Sequence, residues 1–412
     1  LCSNAMYLYQ DDAEIATDVC TFLYAFTKED AWLSKMAGLG LVNRVVLVLG
    51  RHSEHREGVL SAVRLLHAMN KPAIKEAFRG TSVVIQLVEC STKYLLDFDA
   101  LLSILNLLEE MSEYDPQRIA LGNVVAFLVK AMRSYSNSNE LQRVSCVLLA
   151  RVSENTANWD SILKGECIET AIVASKNYLD DSVIQHHTLE FFSRLAVDRG
   201  CRDSIRDHGG VICVLEVMSN NPAVKHVQQY GALTLCHLTL EENGASMLAQ
   251  CNRDILFKDY VDYESDDDVI TPVVGVFALF SGYLSHESDP RMLEKSFQEQ
   301  LISLLRTRRQ NVELQSNIYA LVAHLCADEA SKSYFVREVP ALATLSLREE
   351  LALTDLVEEE LERSKTLIIR VSEAIRCLMK NRLSLKMSFR HIQQEVLLPY
   401  IHQVKLLKLS FS

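Results

Sequence analysis

One pattern recurs along the 412 residues of the chain and limits what it can fold into: a short motif closes a helical segment about every 42 residues. The motif is an apolar residue, a variable residue, a small residue and a second apolar residue. Its last positions are Phe26, Met69, Met111, Val152, Leu195, Leu238, Leu284 and Leu325. Successive positions are 43, 42, 41, 43, 43, 46 and 41 residues apart. A period of this length is typical of helical repeat proteins, in which each unit stacks on the next.

Two further ladders share this register. Glycine recurs at Gly38, Gly80, Gly122, Gly165 and Gly209. Glutamine recurs ten residues before the motif ends, at Gln142, Gln185, Gln228 and Gln315. We interpret each unit as a short first helix, a glycine corner, a middle helix and a longer third helix, because glycine relaxes into the conformations that a sharp corner requires. In one unit the three helices are predicted at 201–207, 211–219 and 223–240.

Composition supports an all-helical chain and excludes several classes of protein. The 14 glycines and 7 prolines are few for 412 residues, and sheet proteins need many turns built from both. The net charge of −12 argues against nucleic acid or an anionic membrane surface as the partner. The longest nearly uncharged run, 269–284, is too short to span a membrane. Eleven scattered cysteines without a C-x-x-C pair indicate reduced thiols and predict a cytoplasmic location, with the nucleus as an alternative.

The segment 227–239, with the sequence VQQYGALTLCHLT, resembles the third helix of an armadillo repeat. The preceding GGVICVL segment, 209–215, resembles the start of the second helix of that family. The resemblance covers roughly 11–385 and implies an all-α, right-handed solenoid of about nine three-helix repeats. HEAT repeats are the structural alternative, and the glycine ladder together with the short first helix favours armadillo.

We expect a single solenoid over 1–412, with regular repeats at 11–348, an acidic insertion at 349–363, and a C-terminal repeat with a basic cap at 364–412. A second acidic segment, 259–268, lies where the spacing of the motif ends lengthens to 46 residues. Each acidic segment has two open interpretations. It is either a solvated loop or lengthened helix, or it is a contact site. The segment 259–268 in particular is a candidate contact for a basic partner.

The chain carries no catalytic motif that we recognise, and we predict neither enzymatic activity nor a metal or cofactor. Gly38-Leu39-Gly40 lacks the strand–turn–helix setting of a dinucleotide site. His186 and His187 are adjacent, so we expect their side chains to point about 100° apart on a helix and not to chelate together.

The remaining candidate is a surface formed by the third helices. In nuclear-import receptors of the armadillo family the equivalent helices carry recurrent Trp and Asn residues, and neither recurs at the matching positions here. The resemblance therefore does not imply their basic-peptide clamp. The residues that we predict to line a concave groove are Arg64, Asn106, Glu110, Arg151, His187, Glu190, Arg194, Tyr230, His237, Tyr283, Asn317 and His324.

We predict a non-enzymatic interaction scaffold or adaptor that binds another protein through an extended peptide or a helix. Arg151 and Arg194 occupy equivalent places 43 residues apart, so stacked helices should bring them within about 10 Å. Two guanidinium groups at that spacing suit acidic or phosphorylated side chains. A karyopherin-like transport receptor and a myosin or client chaperone of the armadillo type are the alternatives.

Overall fold

The computed structural model describes residues 2–71, 76–78, 80–112, 124–283, 289–351 and 358–379, with the backbone alone at 3, 347–351, 358–364 and 379. Every regular element in these ranges is a helix, and they contain no β-strand. This confirms the all-α prediction. The chain divides into an N-terminal unit, Leu1–Cys213, and a C-terminal unit, Val214–Ser412.

The N-terminal unit is a succession of short helices. They are α1 (Cys2–Leu8), α2 (Ala13–Tyr24), α3 (Asp30–Gly38), α4 (Leu41–Arg51), α5 (Arg56–Met69), α6 (Val83–Lys93), α7 (Phe98–Ser112), α8 (Val124–Ser134), α9 (Asn139–Val152), α10 (Trp159–Lys164), α11 (Cys167–Asn177), α12 (Ser182–Leu195) and α13 (Arg199–Asp207). Helix α14 (Gly210–Asn220) contains the boundary between the units. The third helices α2, α5, α7, α9 and α12 pack in that order, each on the next.

The C-terminal unit continues the same alternation. Its helices are α15 (Lys225–Leu238), α16 (Glu242–Ala249), α17 (Asp254–Asp262), α18 (Asp267–Tyr283), α19 (Lys295–Thr307), α20 (Val312–Leu325), α21 (Glu329–Leu351) and α22 (Glu358–Met379). The third helices α15, α18, α20 and α22 pack in sequence. The whole acidic insertion 349–363 and the whole segment 380–412 lie outside the residues whose side chains are described.

The third helices confirm the period that the sequence predicts. From α2 to α20 they begin at residues 13, 56, 98, 139, 182, 225, 267 and 312, which are 41 to 45 residues apart, and α22 begins 46 residues after α20. Five predicted motif ends coincide with the last residue of a helix: Met69, Val152, Leu195, Leu238 and Leu325. Leu284 lies outside the described residues. The acidic segment 259–268 therefore does not delay the start of α18, which follows that of α15 by 42 residues.

The glutamine ladder closes the carboxyl end of each preceding middle helix. Gln185 Nε2 donates to Ser175 O at 2.9 Å and to Tyr178 O at 2.7 Å, ten and seven residues back along the chain. The other three ladder glutamines donate to carbonyls at the same two offsets. All four are buried. Because the last carbonyls of a helix lack intrahelical donors, one buried amide at this position satisfies two of them.

The glycine ladder marks the corner before each middle helix, although the left-handed residue is not always the ladder glycine. Gly80 and Gly209 have φ of 77° and 81°. Near the N-terminus the left-handed residue is Gly40, with φ of 67°, and Gly38 instead ends α3. Gly122 lies outside the described residues.

Glu166 stands where the corners described above have glycine. It follows Gly165 directly and has φ of 58°, whereas φ of Gly165 is −92°. A side chain with a Cβ atom costs about 1–2 kcal/mol in this conformation. The carboxylate of Glu166 accepts a hydrogen bond from Arg133 NH1 at 2.5 Å. The corner is therefore strained, and it holds a charge that glycine could not supply.

Among the described helices, none is by itself both long enough and apolar enough to cross a membrane. Helices α3 and α4 reach that length and composition only when taken together, and they are bent by 72° at the break between them.

Candidate functional site

All twelve predicted groove residues lie on third helices. Arg64 is on α5, and the others follow on α7, α9, α12, α15, α18 and α20. Arg64 and Tyr283 are exposed, Glu190 is buried, and the remaining nine are half-buried. Their placement on one class of helix follows from the period, and their role in binding remains a prediction.

The most connected of these residues form a cluster between α9 and α12 in the N-terminal unit, which we call the arginine–glutamate cluster: Arg151, Glu154, His187, Glu190 and Arg194. Glu154 Oε1 lies 3.2 Å from Arg151 NH1 and 3.2 Å from Arg194 NH2. Arg194 NH2 also lies 2.7 Å from Glu190 Oε1, and Glu190 Oε2 lies 2.9 Å from His187 Nδ1. The cluster is therefore a continuous chain of ion pairs and hydrogen bonds across two neighbouring repeats.

Both arginines are charge-compensated within the chain. Because they share one carboxylate oxygen, their guanidinium groups lie closer together than the distance of about 10 Å between packed helices. Arg194 is fixed further by its NH1, which donates to Ala150 O at 2.6 Å. The sequence pattern identified both arginines and missed Glu154, which lies in the turn after α9 and outside the ladder. Its spacing of three residues from Arg151 is the signal that could have found it.

Glu190 is ionised in this setting. Burial acts to raise the pKa of Glu190, but the hydrogen bond from His187 and the positive charge of Arg194 outweigh it and hold the pKa below its ordinary value of 4.5. Glu190 is 7% exposed. A buried carboxylate of this kind requires a paired cation, and Arg194 supplies it.

His186 and His187 do not diverge as predicted. Their rings stack with centroids 4.4 Å apart and an interplanar angle of 23°, and one ligand atom from each lies within 4.8 Å of Glu190. The expectation that they point about 100° apart is wrong, because side-chain rotation brings adjacent rings together. The rings are nearly parallel, so their in-plane lone pairs do not converge on one ion. Both Glu190 oxygens also have partners already. We therefore assign His187 to a hydrogen bond with Glu190.

A second contact of the same kind links α5 and α7. Glu110 Oε1 lies 3.2 Å from His67 Nδ1, and Glu110 Oε2 accepts a hydrogen bond from Asn70 Nδ2 at 3.0 Å. Arg64 and Asn106 lie on the same two helices. This end of the predicted surface is thus also tied together by contacts between repeats.

In the C-terminal unit the predicted residues make mainly structural contacts. Tyr283 donates its hydroxyl to Leu240 O at 2.5 Å, and Asn317 Nδ2 donates to Thr271 O at 3.2 Å. Burial lowers the pKa of His324, and the nearby charge of Arg370 acts in the same direction. This imidazole is therefore neutral at pH 7. Tyr230 and His237 are half-buried.

The acidic segment 259–268 consists of the end of α17, a short turn and the start of α18. Asp266 and Asp268 bind Lys225 Nζ at 2.8 and 3.1 Å. Asp259 is 1% exposed, so the interpretation as a solvated loop is wrong for this residue. The proposed contact with a basic partner remains a prediction.

No protein-family model matches this sequence, and no curated protein does. Solved structures do resemble it. One, from work on a conserved phosphorylation switch that controls the interaction between cadherin and beta-catenin, is 14% identical, covers 89% of this chain and 77% of its own, and has a TM-score of 0.72. An engineered protein is 16% identical over 98% of both chains, with a TM-score of 0.67. At these identities the likeness concerns the fold, and this chain has the armadillo-type fold, an all-α solenoid of stacked helical repeats.

Proposed function

We propose that this chain is a non-enzymatic scaffold that binds a segment of another protein along its third helices, as an extended peptide or as a helix. The arginine–glutamate cluster carries the proposal. It brings two cations of successive third helices side by side, with the side chains of Arg151 and Arg194 33% and 27% exposed. The armadillo-type structure that concerns the interaction between cadherin and beta-catenin supports a protein partner.

The partner segment carries acidic or phosphorylated residues in this proposal. Guanidinium groups bind carboxylate and phosphoryl oxygens in a bidentate manner. Arginine is also enriched where interfaces concentrate binding energy. In the N-terminal unit, Arg64, Asn106 and Glu110 extend the proposed surface along α5 and α7. The proposal includes a cytoplasmic location.

Arg151→Glu tests this function better than a reversal of both arginines. Reversing Arg194 would leave the buried carboxylate of Glu190 beside a second negative charge, whereas Arg151 is at the more exposed end of the cluster. We expect Arg151→Glu to weaken binding of the native partner at least about tenfold, since a charge-assisted hydrogen bond contributes about 1.5–3 kcal/mol. Binding should also weaken as salt rises, because exposed charges are screened over about 10 Å at 0.1 M.

The partner is captured from a native lysate with the wild-type chain, and its affinity is then measured by fluorescence polarisation. Glu169→Gln is the matched control, because Glu169 lies on the middle helix α11 and is away from the cluster. Equal affinity of the partner for wild type and Arg151→Glu would refute the third-helix surface of the N-terminal unit.

A further inference from the structure

Glu154 occupies the place between the two arginines that a bound anion would take. A single oxygen, Glu154 Oε1, contacts Arg151 NH1 and Arg194 NH2 at 3.2 Å each. The Glu154 side chain is 31% exposed. It belongs to the turn that follows α9, so it can swing away without disturbing a helix. A carboxylate of the chain itself therefore sits where the proposed function places a carboxylate or phosphoryl group of the partner.

Arg194 stays in place if Glu154 leaves. Arg194 retains Glu190 Oε1 at 2.7 Å and Ala150 O at 2.6 Å. Glu190 neutralises the charge of Arg194, so departure of Glu154 leaves the charge of Arg151 uncompensated within the cluster. Helix α12 thus holds the guanidinium group of Arg194 in position for an incoming anion, and the guanidinium group of Arg151 on α9 becomes available to the same anion. Such preorganisation lowers the entropic cost of binding.

We propose that Glu154 is an intramolecular stand-in for the phosphoryl group of a phosphorylated partner segment, which displaces it on binding. This inference rests on the function proposed above. A carboxylate of the partner carries the same charge as the carboxylate of Glu154, so exchanging the two brings no electrostatic gain. The partner carboxylate also competes with a tethered group whose effective concentration is of the order of millimolar. A phosphoryl group carries about −1.5 to −2 charges and three acceptor oxygens. It can bridge both guanidinium groups and outcompete Glu154.

The chain contains a reporter for this displacement. Trp159 Nε1 donates a hydrogen bond to Ser153 O at 2.8 Å, next to Glu154 in the same turn. The sequence has two tryptophans, so Trp32→Phe leaves Trp159 as the only indole. The fluorescence emission of Trp159 then reports on the turn that contains Glu154.

The test uses the full chain with Trp32→Phe and two unlabelled peptides, one with three phosphoserines at alternating positions and one with three aspartates there. We expect the phosphoserine peptide to bind at least about fivefold more tightly than the aspartate peptide. Glu154→Gln should tighten binding of the phosphoserine peptide about three- to tenfold, the range of one or two partly exposed ion pairs. Glu140→Gln, an exposed change on the same helix α9, should leave the affinity unchanged.

Arg151→Gln separates displacement from a general effect of net charge. If Glu154 competes for Arg151, the gain from Glu154→Gln should fall below about twofold once Arg151 is replaced. A gain of equal size in both backgrounds would overturn the proposal, and so would unchanged or weaker phosphopeptide binding by Glu154→Gln. If Arg151→Glu abolishes binding of the native partner while Glu154→Gln leaves it unchanged, the displacement fails and the proposed function stands. If Arg151→Glu has no effect on the native partner, the proposed function fails as well.

Discussion

Replacing Asp259 by asparagine should stabilise the C-terminal unit by an amount that grows with pH. Asp259 is 1% exposed, and neither of its carboxylate oxygens has a hydrogen-bond partner among the residues that the structure describes. Burial, together with the nearby charge of Asp262, raises the pKa of Asp259 to about 7, against the opposing charge of Lys258. The folded protein therefore keeps a neutral carboxylic acid at pH values where the unfolded chain has released the proton.

The position is apolar in six other repeats. Asp259 lies eight residues before the first residue of the third helix α18. The residues at the same offset before α5, α7, α9, α12, α15 and α20 are buried and hydrophobic: Val48, Cys90, Ala131, Ala174, Val217 and Leu304. Asp259 is thus a polar residue at a core position of the repeat.

The sign of the effect follows from the two pKa values. Below the ordinary value of 3.8 the group is protonated in both states and does not alter stability. Between 3.8 and about 7 unfolding releases a proton, so stability falls by about 1.4 kcal/mol for each pH unit. Above pH 7 the full loss of about 4 kcal/mol is reached.

Urea unfolding at pH 4, 5, 6, 7 and 8, followed by circular dichroism, measures this loss. The stability difference between Asp259→Asn and wild type should widen from pH 4 to pH 7 and then level off. Asp259→Val introduces the residue type that α14 has at this offset, Val217. Its stability difference from wild type should also widen from pH 4 to pH 7. Glu216→Gln, an exposed carboxylate on α14, is the control and should show no such widening. A difference between Asp259→Asn and wild type that stays constant across this range would refute the buried neutral acid.

Two further changes test the repeat itself. Gln228→Met should cost about 1–3 kcal/mol, because Met218 O and Asn221 O each lose a buried donor at 3.0 and 2.8 Å; unchanged urea unfolding would show that the glutamine ladder does not stabilise the helix ends. Glu166→Gly should be about 1 kcal/mol more stable than Glu166→Ala, since both lose the ion pair with Arg133 but only glycine relieves the left-handed strain. Equal thermal stability of these two variants would contradict the strained corner.

The helices and their period could be predicted from the sequence because they depend on local patterns. Apolar residues at helical spacing define a buried face, and comparison of the chain with itself fixes where each unit ends. The predicted motif ends Val152, Leu195 and Leu238 are the last residues of their helices in the structure. The predicted third helix at 223–240 is α15, which is shorter by two residues at each end. The glutamine ladder was also visible, although its function as a cap on the preceding helix was not.

The pairing of side chains between repeats was decided by the tertiary structure. The contact of Glu154 with Arg194 joins residues 40 positions apart in the sequence, and it depends on how two stacked helices are spaced and on the rotamers that their packing allows. The same holds for the stacking of His186 on His187, which helix geometry alone predicted wrongly.

Burial and strain at single positions likewise needed the fold. Asp259 stands in a run of acidic residues, and only the packing of α17 shows that this one faces the core. Glu166 follows a ladder glycine, and only the backbone shows that the left-handed conformation falls on the glutamate. The sequence by itself determined the all-α repeat architecture, because a periodic apolar pattern has few ways to bury its surface. Which charges meet, and which are buried, was decided by the stacking of the repeats, because those contacts join residues about 40 positions apart.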